Sequence, residues 1–217
     1  MPRRLLVPAL GVEMYVQYGC GWNAPEGWVN FDASPTLRFE RIPVIGKLYT
    51  RNKERFPANV RYGDIVKGLP IPDASCKAIY CSHILEHLSL EDFDKAVANT
   101  RRHLTEGGAF RLVVPDLREV VHDYLASSKE EAAIDFIRIS GLGRERRRRG
   151  LSGCVVEWLG NSAHLWLWDE KALALKLREH GFRNIRRAHF GDSTDPMFAR
   201  VERKDRFDRC LAMECLK

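Results

Sequence analysis

The sequence predicts an α/β protein built on a mostly parallel sheet with helices on both faces. Three observations lead there. Short β-rich runs alternate with amphipathic stretches, the pattern that buries a parallel sheet between helix layers. Two of the runs, Lys77–Ser82 (KAIYCS) and Ala109–Val114 (AFRLVV), are almost continuously apolar, as strands covered on both sides are. Glycines, acids and histidines cluster just after the runs, at the strand ends where ligands of such sheets bind.

In chain order, residues 1–12 read as a lead-in, and the first strand falls at about 14–18. Gly19-Cys20-Gly21 turns the chain, and a second strand at 28–32 ends on Asp32. A short helix is expected near 44–55 and a third strand over Asn59–Tyr62, closed by Gly63-Asp64. Leu69-Pro-Ile-Pro-Asp73 is a stiff connector into the fourth strand, Lys77–Ser82. Ser89-x-x-Asp92 caps a helix with Leu90, Phe93, Ala96, Val97 and Leu104 on one stripe, and Gly107-Gly108 is expected to stop it. The fifth strand, Ala109–Val114, leads to helices at about 117–126 and 129–139. Residues 140–163 are rich in glycine and arginine and have no period, which suits a mobile flap. Asp169 caps a helix over about 170–180 that Gly181 stops, and Asn184–Phe190 and Arg209–Leu216 make the last strands.

Composition bounds the function. At 217 residues, 45% hydrophobic and 29% charged, the chain fits one soluble domain over 1–217. The net charge of +6 owes much to the run Arg144–Arg149, a solvated loop or a contact for an anionic acceptor. That run lacks interleaved aromatics, which argues against nucleic acid. Six cysteines show no C-x-x-C, so reduced thiols and a cytoplasmic location are expected. No apolar window is long enough for a membrane span. Nothing in the sequence fixes an oligomeric state.

The glycine turn carries the chemistry. Glycines let the backbone come close to a ligand, and an acid after the next strand can accept from ribose hydroxyls. The dinucleotide fingerprint is not met. Asp32 follows Gly19 by 13 residues, too few for a crossover helix. By itself the turn reads equally as a tight connection between two strands. His83-x-x-Glu86-His87 also matches an inverted zinc-peptidase pattern, but that chemistry needs both histidines on one helical face and a third ligand. Here His83 comes directly off a strand, so no metal is expected.

Several segments together resemble the class I S-adenosylmethionine-dependent methyltransferases, and among them the type 11 methyltransferase-like group. These are YGCG at the loop, GWVNFDASP, GLPIPDASCKAIYCSHILEHL, RRHLTEGGAFRLVVPDL and HLWLWDEKALALKLREHGF. The chain departs from that group at Gln17-Tyr18, where an acid often precedes the loop. The resemblance implies a Rossmann-like, doubly wound sheet of seven strands with the last antiparallel, and S-adenosylmethionine as cofactor. It implies that Gly19, Cys20 and Gly21 line the methionine end. Asp32 would hold the ribose, Asp64 and Ile65 would flank the adenine, and Ser82 and His83 would close the pocket. His83, His87 and His164 are the candidate catalytic bases, with Glu86 and His87 in part structural. The implied activity is methyl transfer to a small molecule or glycan, at oxygen. The alternatives are a non-catalytic S-adenosylmethionine-binding module and a nucleic-acid methyltransferase, the latter without the N-P-P-Y or D-P-P-Y tetrapeptide.

Overall fold

β-branched and aromatic runs separated by glycine and proline turns pair into one sheet. In the computed structural model, which describes residues 13–43, 46, 54–145 and 163–217, the strands are β1 (Met14–Tyr18), β2 (Val29–Asp32), β3 (Val60–Tyr62), β4 (Cys76–Ser82), β5 (Leu104–Pro115), β6 (Arg183–Ala188) and β7 (Cys210–Leu216). Their order is β3-β2-β1-β4-β5-β7-β6. β1 pairs in parallel with both β2 and β4, and only β7 runs antiparallel to its neighbours. The order reverses between β1 and β4, the switch point outside which ligands of open α/β sheets bind.

The period-2 alternation of the strands divides the core. On β4, Ile79 and Cys81 join one cluster with Val16, Phe93, Val97, Leu173 and Leu177. Ala78 and Tyr80 face the other side, against Trp28, Val113 and Phe198. The first face is covered by α2 (Leu90–His103) and α5 (Glu170–Glu179). The second is covered in part by the 3-10 segment Pro196–Arg200. Full burial of side chains such as Phe93 and Leu173 stabilises by about 1.5–3 kcal/mol each.

The caps follow the sequence. Ser89 Oγ accepts from Asp92 N at the start of α2, and Asp169 Oδ1 from Ala172 N at the start of α5. Asp116 starts α3 (Leu117–Ala126), which is followed by α4 (Ala132–Ser140), and Gly181 takes φ +80 after α5.

Elsewhere the local expectations shift. Gly107-Gly108 does not stop α2. The helix ends at His103, Leu104 is already extended, and the glycines lie inside a longer β5. Pairing with Cys76 and β7 outweighs the local turn signal. A helix expected near 44–55 lies largely outside the described residues. A helix not expected, α1 (Pro35–Glu40), starts at Ser34 with proline in its first turn. Arg146–Arg149 and most of the expected flap also lie outside the described residues. Among the described residues no helix is long and apolar enough to cross a membrane, and the five described cysteines are free.

Arg111, central in β5, is fully buried. Its guanidinium bonds Glu202, reaches Glu214 Oε2 and Asp192 Oδ1 at 2.9 Å each, and donates to the His189 carbonyl at 2.7 Å. Arg186 joins the same Asp192 and Glu214. The network ties β5, β6 and β7 to the 189–202 segment.

Candidate functional site

The carboxyl ends of β1, β2 and β4 and the loop after β3 open onto a cleft of about 750 Å³. Tyr18 and Gly19 reach it from β1, Asp32 from β2, Asp64 and Ile65 from beyond β3, and His83 and His87 from beyond β4. A smaller pocket of about 140 Å³ shares Tyr18 and Gly19 and is lined by Cys20, Gly21, Ser82, Arg203 and Arg206. The candidate cofactor residues therefore fall into two neighbouring spaces, with Gly19 common to both.

The loop from Gly19 to Trp28 is a turn without a helix. Gly19 and Gly21 both take positive φ, +66 and +54. At Gly19 a Cβ would lie 2.0 Å from Ile84 Cδ1, so only glycine lets the turn after β4 pack onto the loop. Gln17, buried before the loop, donates to the Asn23 carbonyl at 2.6 Å and to Asn30 Oδ1 at 2.5 Å. Its amide braces the loop where an acid often stands in the resembling group.

The Asp32 carboxylate accepts from Gly21 N at 2.9 Å and from Ser34 N at 2.7 Å. Burial pushes its pKa up, and the two amides oppose that. Each oxygen keeps a lone pair for a further donor. Asp64 caps the 3-10 turn Ile65–Lys67 through Val66 N and pairs with Lys67 Nζ at 2.7 Å. Asn99 of α2 donates to the Ile65 and Val66 carbonyls and fixes this wall.

His83 has φ +57, a conformation side chains rarely adopt, held by its N–H to the Val113 carbonyl at 2.9 Å. Its ring lies 3.0 Å from Ser82 Oγ and 3.5 Å from Cys210 Sγ. Burial first, then nearby Arg206, His164 and His87, push its imidazole down to about 4, so it is neutral at neutral pH. His87 is also pushed down, mainly by burial. His87 and His164 stand edge to face, ring centres 5.0 Å apart. Glu86 beside them is fully buried, and burial pushes its carboxyl up to about 8.

The three candidate bases thus gather after β4, although His164 is remote in sequence. Gly141, left-handed at the end of α4, makes room for it, since a Cβ there would lie 2.6 Å from His164 Nδ1. Arg203 and Arg206 were not singled out from the sequence. They sit in a polar segment without motif or period, and only folding brings them to the glycine loop.

Residues 27–112, from the start of β2 into β5, match the family described as a methyltransferase domain. That segment, somewhat less than half of the chain, is similar to a methyltransferase domain. The match begins after the glycine loop, so it covers Asp32, Asp64 and His83 but not Gly19 or Gly21. Among solved structures the chain aligns with "PigF with SAH" at TM-score 0.50 and 15% identity, over 94% of this chain and 50% of that one. At that identity the likeness bears on the fold alone. An S-adenosylmethionine-dependent methyltransferase from Mesorhizobium loti aligns at TM-score 0.48 and 18% identity, over 97% and 94% of the two chains. One from Archaeoglobus fulgidus aligns at 0.48 and 13%, over 95% and 87%. Among curated proteins nothing matches this chain.

Proposed function

We propose that the cleft holds S-adenosylmethionine and that the chain, acting as a single domain, methylates an oxygen of a small molecule or glycan. The observation that carries the reading is that Gly19, Asp32, Asp64, Ile65 and His83, from four separate strand ends, line one cavity. Its volume of about 750 Å³ suits a cofactor-sized ligand. When bound, the cofactor supplies an electrophilic methyl group on a sulfonium. The chain's own residues bind and orient. Gly19 brings backbone close to the methionine end. The remaining lone pairs of Asp32 accept from the ribose hydroxyls. Asp64 and Ile65 stand beside the adenine. Alignment and exclusion of water supply most of the acceleration in such a displacement.

Arg203 and Arg206 add positive charge beside the loop, which suits an acceptor bearing a carboxylate or phosphate. They take the place, in this reading, of the expected contact from Arg144–Arg149.

Calorimetry with S-adenosylhomocysteine should show one site. Asp32→Ala should weaken it by about 1.5–3 kcal/mol, roughly 10- to 150-fold. The same variant should lose some stability, because it strands Gly21 N and Ser34 N. Unchanged affinity in a folded Asp32→Ala protein would remove the ribose role. Transfer of labelled methyl to a panel of hydroxylated acids and sugars tests the acceptor class. Binding without transfer to any panel member would favour the non-catalytic module.

A further inference from the structure

We propose that Glu86, His87 and His164 form a binding site for one divalent first-row transition-metal cation. A ligating atom of each lies within 4.8 Å of the other two. Around a tetrahedral ion such atoms stand about 3.3 Å apart, so the cluster needs to close by roughly 1.5 Å at most.

The observation that points to a ligand is Glu86. Its side chain is fully buried, and neither carboxylate oxygen has a hydrogen-bond partner among the described residues. A carboxyl buried without a hydrogen bond is costly in either form, and pairing it, keeping its proton or giving it to a metal each lowers that cost. The two imidazoles are prepared in the manner of ligands. His87 Nδ1 lies 3.0 Å from the Ala163 carbonyl and His164 Nδ1 2.7 Å from the Ser140 carbonyl. A carbonyl only accepts, so each Nδ1 carries a proton and Nε2 is the nitrogen of each ring that can ligate. A second hydrogen bond of this kind orients metal-bound histidines.

The backbone fixes the cluster too. Leu165 N and Trp166 N both donate to the Glu86 carbonyl, at 2.8 and 3.1 Å, stitching the segment that carries His164 onto the turn that carries Glu86 and His87. The arrangement is not the helical H-x-x-E-H pattern. His83 faces Ser82 and Cys210 instead, and the third ligand comes from beyond α4.

Two imidazoles and one carboxylate suit zinc, cobalt, nickel, manganese or ferrous iron, whereas magnesium and calcium take oxygen ligands. Three protein ligands leave coordination positions for oxygen donors. His87 also lines the large cleft, so the cation would adjoin it. The metal site stands on its own ligands, and only its service to an acceptor rests on the proposed methyl transfer.

The test uses the full chain stripped with chelator, then titrated with Zn²⁺ by calorimetry and with Co²⁺ by visible absorption. One equivalent should bind, with ligand-field bands for cobalt. Glu86→Gln and His164→Asn should each weaken binding roughly tenfold or more, with folding checked by circular dichroism. His164 is half-buried, so its variant carries the test even where Glu86→Gln fails to fold. His83→Asn, whose new residue tolerates the left-handed backbone, should leave uptake unchanged. No stoichiometric uptake, uptake indifferent to Glu86→Gln and His164→Asn, or uptake lost only with His83→Asn would each overturn the site. A parallel S-adenosylhomocysteine titration separates the two readings. Cofactor binding without a cation fails the metal site alone, and cation binding without the cofactor fails the cleft assignment alone.

Discussion

Arg111 and Glu86 are both fully buried ionisable side chains of one fold, and they are treated in opposite ways. Arg111 meets Glu202, Glu214, Asp192 and a carbonyl, with every contact supplied by the chain itself. Glu86 has no hydrogen-bond partner among the described residues, and His87 Nε2 stands 3.9 Å from one of its oxygens. Arg111 lies in the middle of β5, where the antiparallel strand β7 and the 189–202 segment bring acids to it. Glu86 lies in the short turn after β4, on the rim where ligands of such sheets bind. A buried charge the chain satisfies holds the structure together. A buried carboxyl left without a hydrogen bond keeps its proton, or takes the cation proposed above.

The contrast predicts opposite signs on substitution. Arg111→Met should have the largest effect, a loss of about 3–5 kcal/mol in denaturant unfolding, because it leaves buried Glu202 without its partner. A loss below about 1 kcal/mol would mean the network is not structural. Glu86→Met, in chelator-treated protein, should keep or raise stability by about 1–3 kcal/mol, since it removes a buried polar group with no hydrogen-bond partner among the described residues. A loss as large as that of Arg111→Met would place Glu86 with the structural charges and erase the contrast.

The smallest effect is on pH dependence. Burial alone would raise the Asp192 carboxyl, but hydrogen bonds from Arg186, from His189 N and from Arg111 outweigh it and hold the group down at about 2. The group is depressed in the fold, so the stability it contributes is present above its ordinary value of 3.8 and is lost as pH falls toward 2. Screened as it is by solvent, this amounts to about 1 kcal/mol or less. Asp192→Asn should flatten the stability curve between those limits. An unchanged acid limb would assign the slope to other carboxylates.

Much of the scaffold is legible in the residues. Ser89, Asp116 and Asp169 start helices because a side-chain oxygen can meet an orphan N–H within the same few residues. β4 and β5 read as buried strands because both faces of the sheet are covered there, which leaves little polar alternation to preserve. That Gly19, Asp32, Asp64 and His83 would line one cleft was legible because each lies at or just beyond a strand end, and the strand ends converge.

What was not legible depends on distant partners. Gly107-Gly108 looks like a helix stop, yet it lies in a strand because Cys76 and β7 pair across it. Gln17 reads as a missing acid until Asn23 and Asn30 are found under its amide. Arg111 reads as an interruption of an apolar run, since its acids come from residues 192, 202 and 214.

The sequence by itself determined most of the order of strands and helices, the caps, and the strand ends that line the cleft. Those depend on period, local hydrogen bonds and backbone freedom, all set within a few residues. Only the tertiary structure decided which buried ionisable group the chain answers with hydrogen bonds and which it does not. It brought three acids to Arg111, and it set His164 beside Glu86 and His87 across more than 70 positions of chain. Pairing of charges is a property of distance in space, and only the folded chain sets that distance.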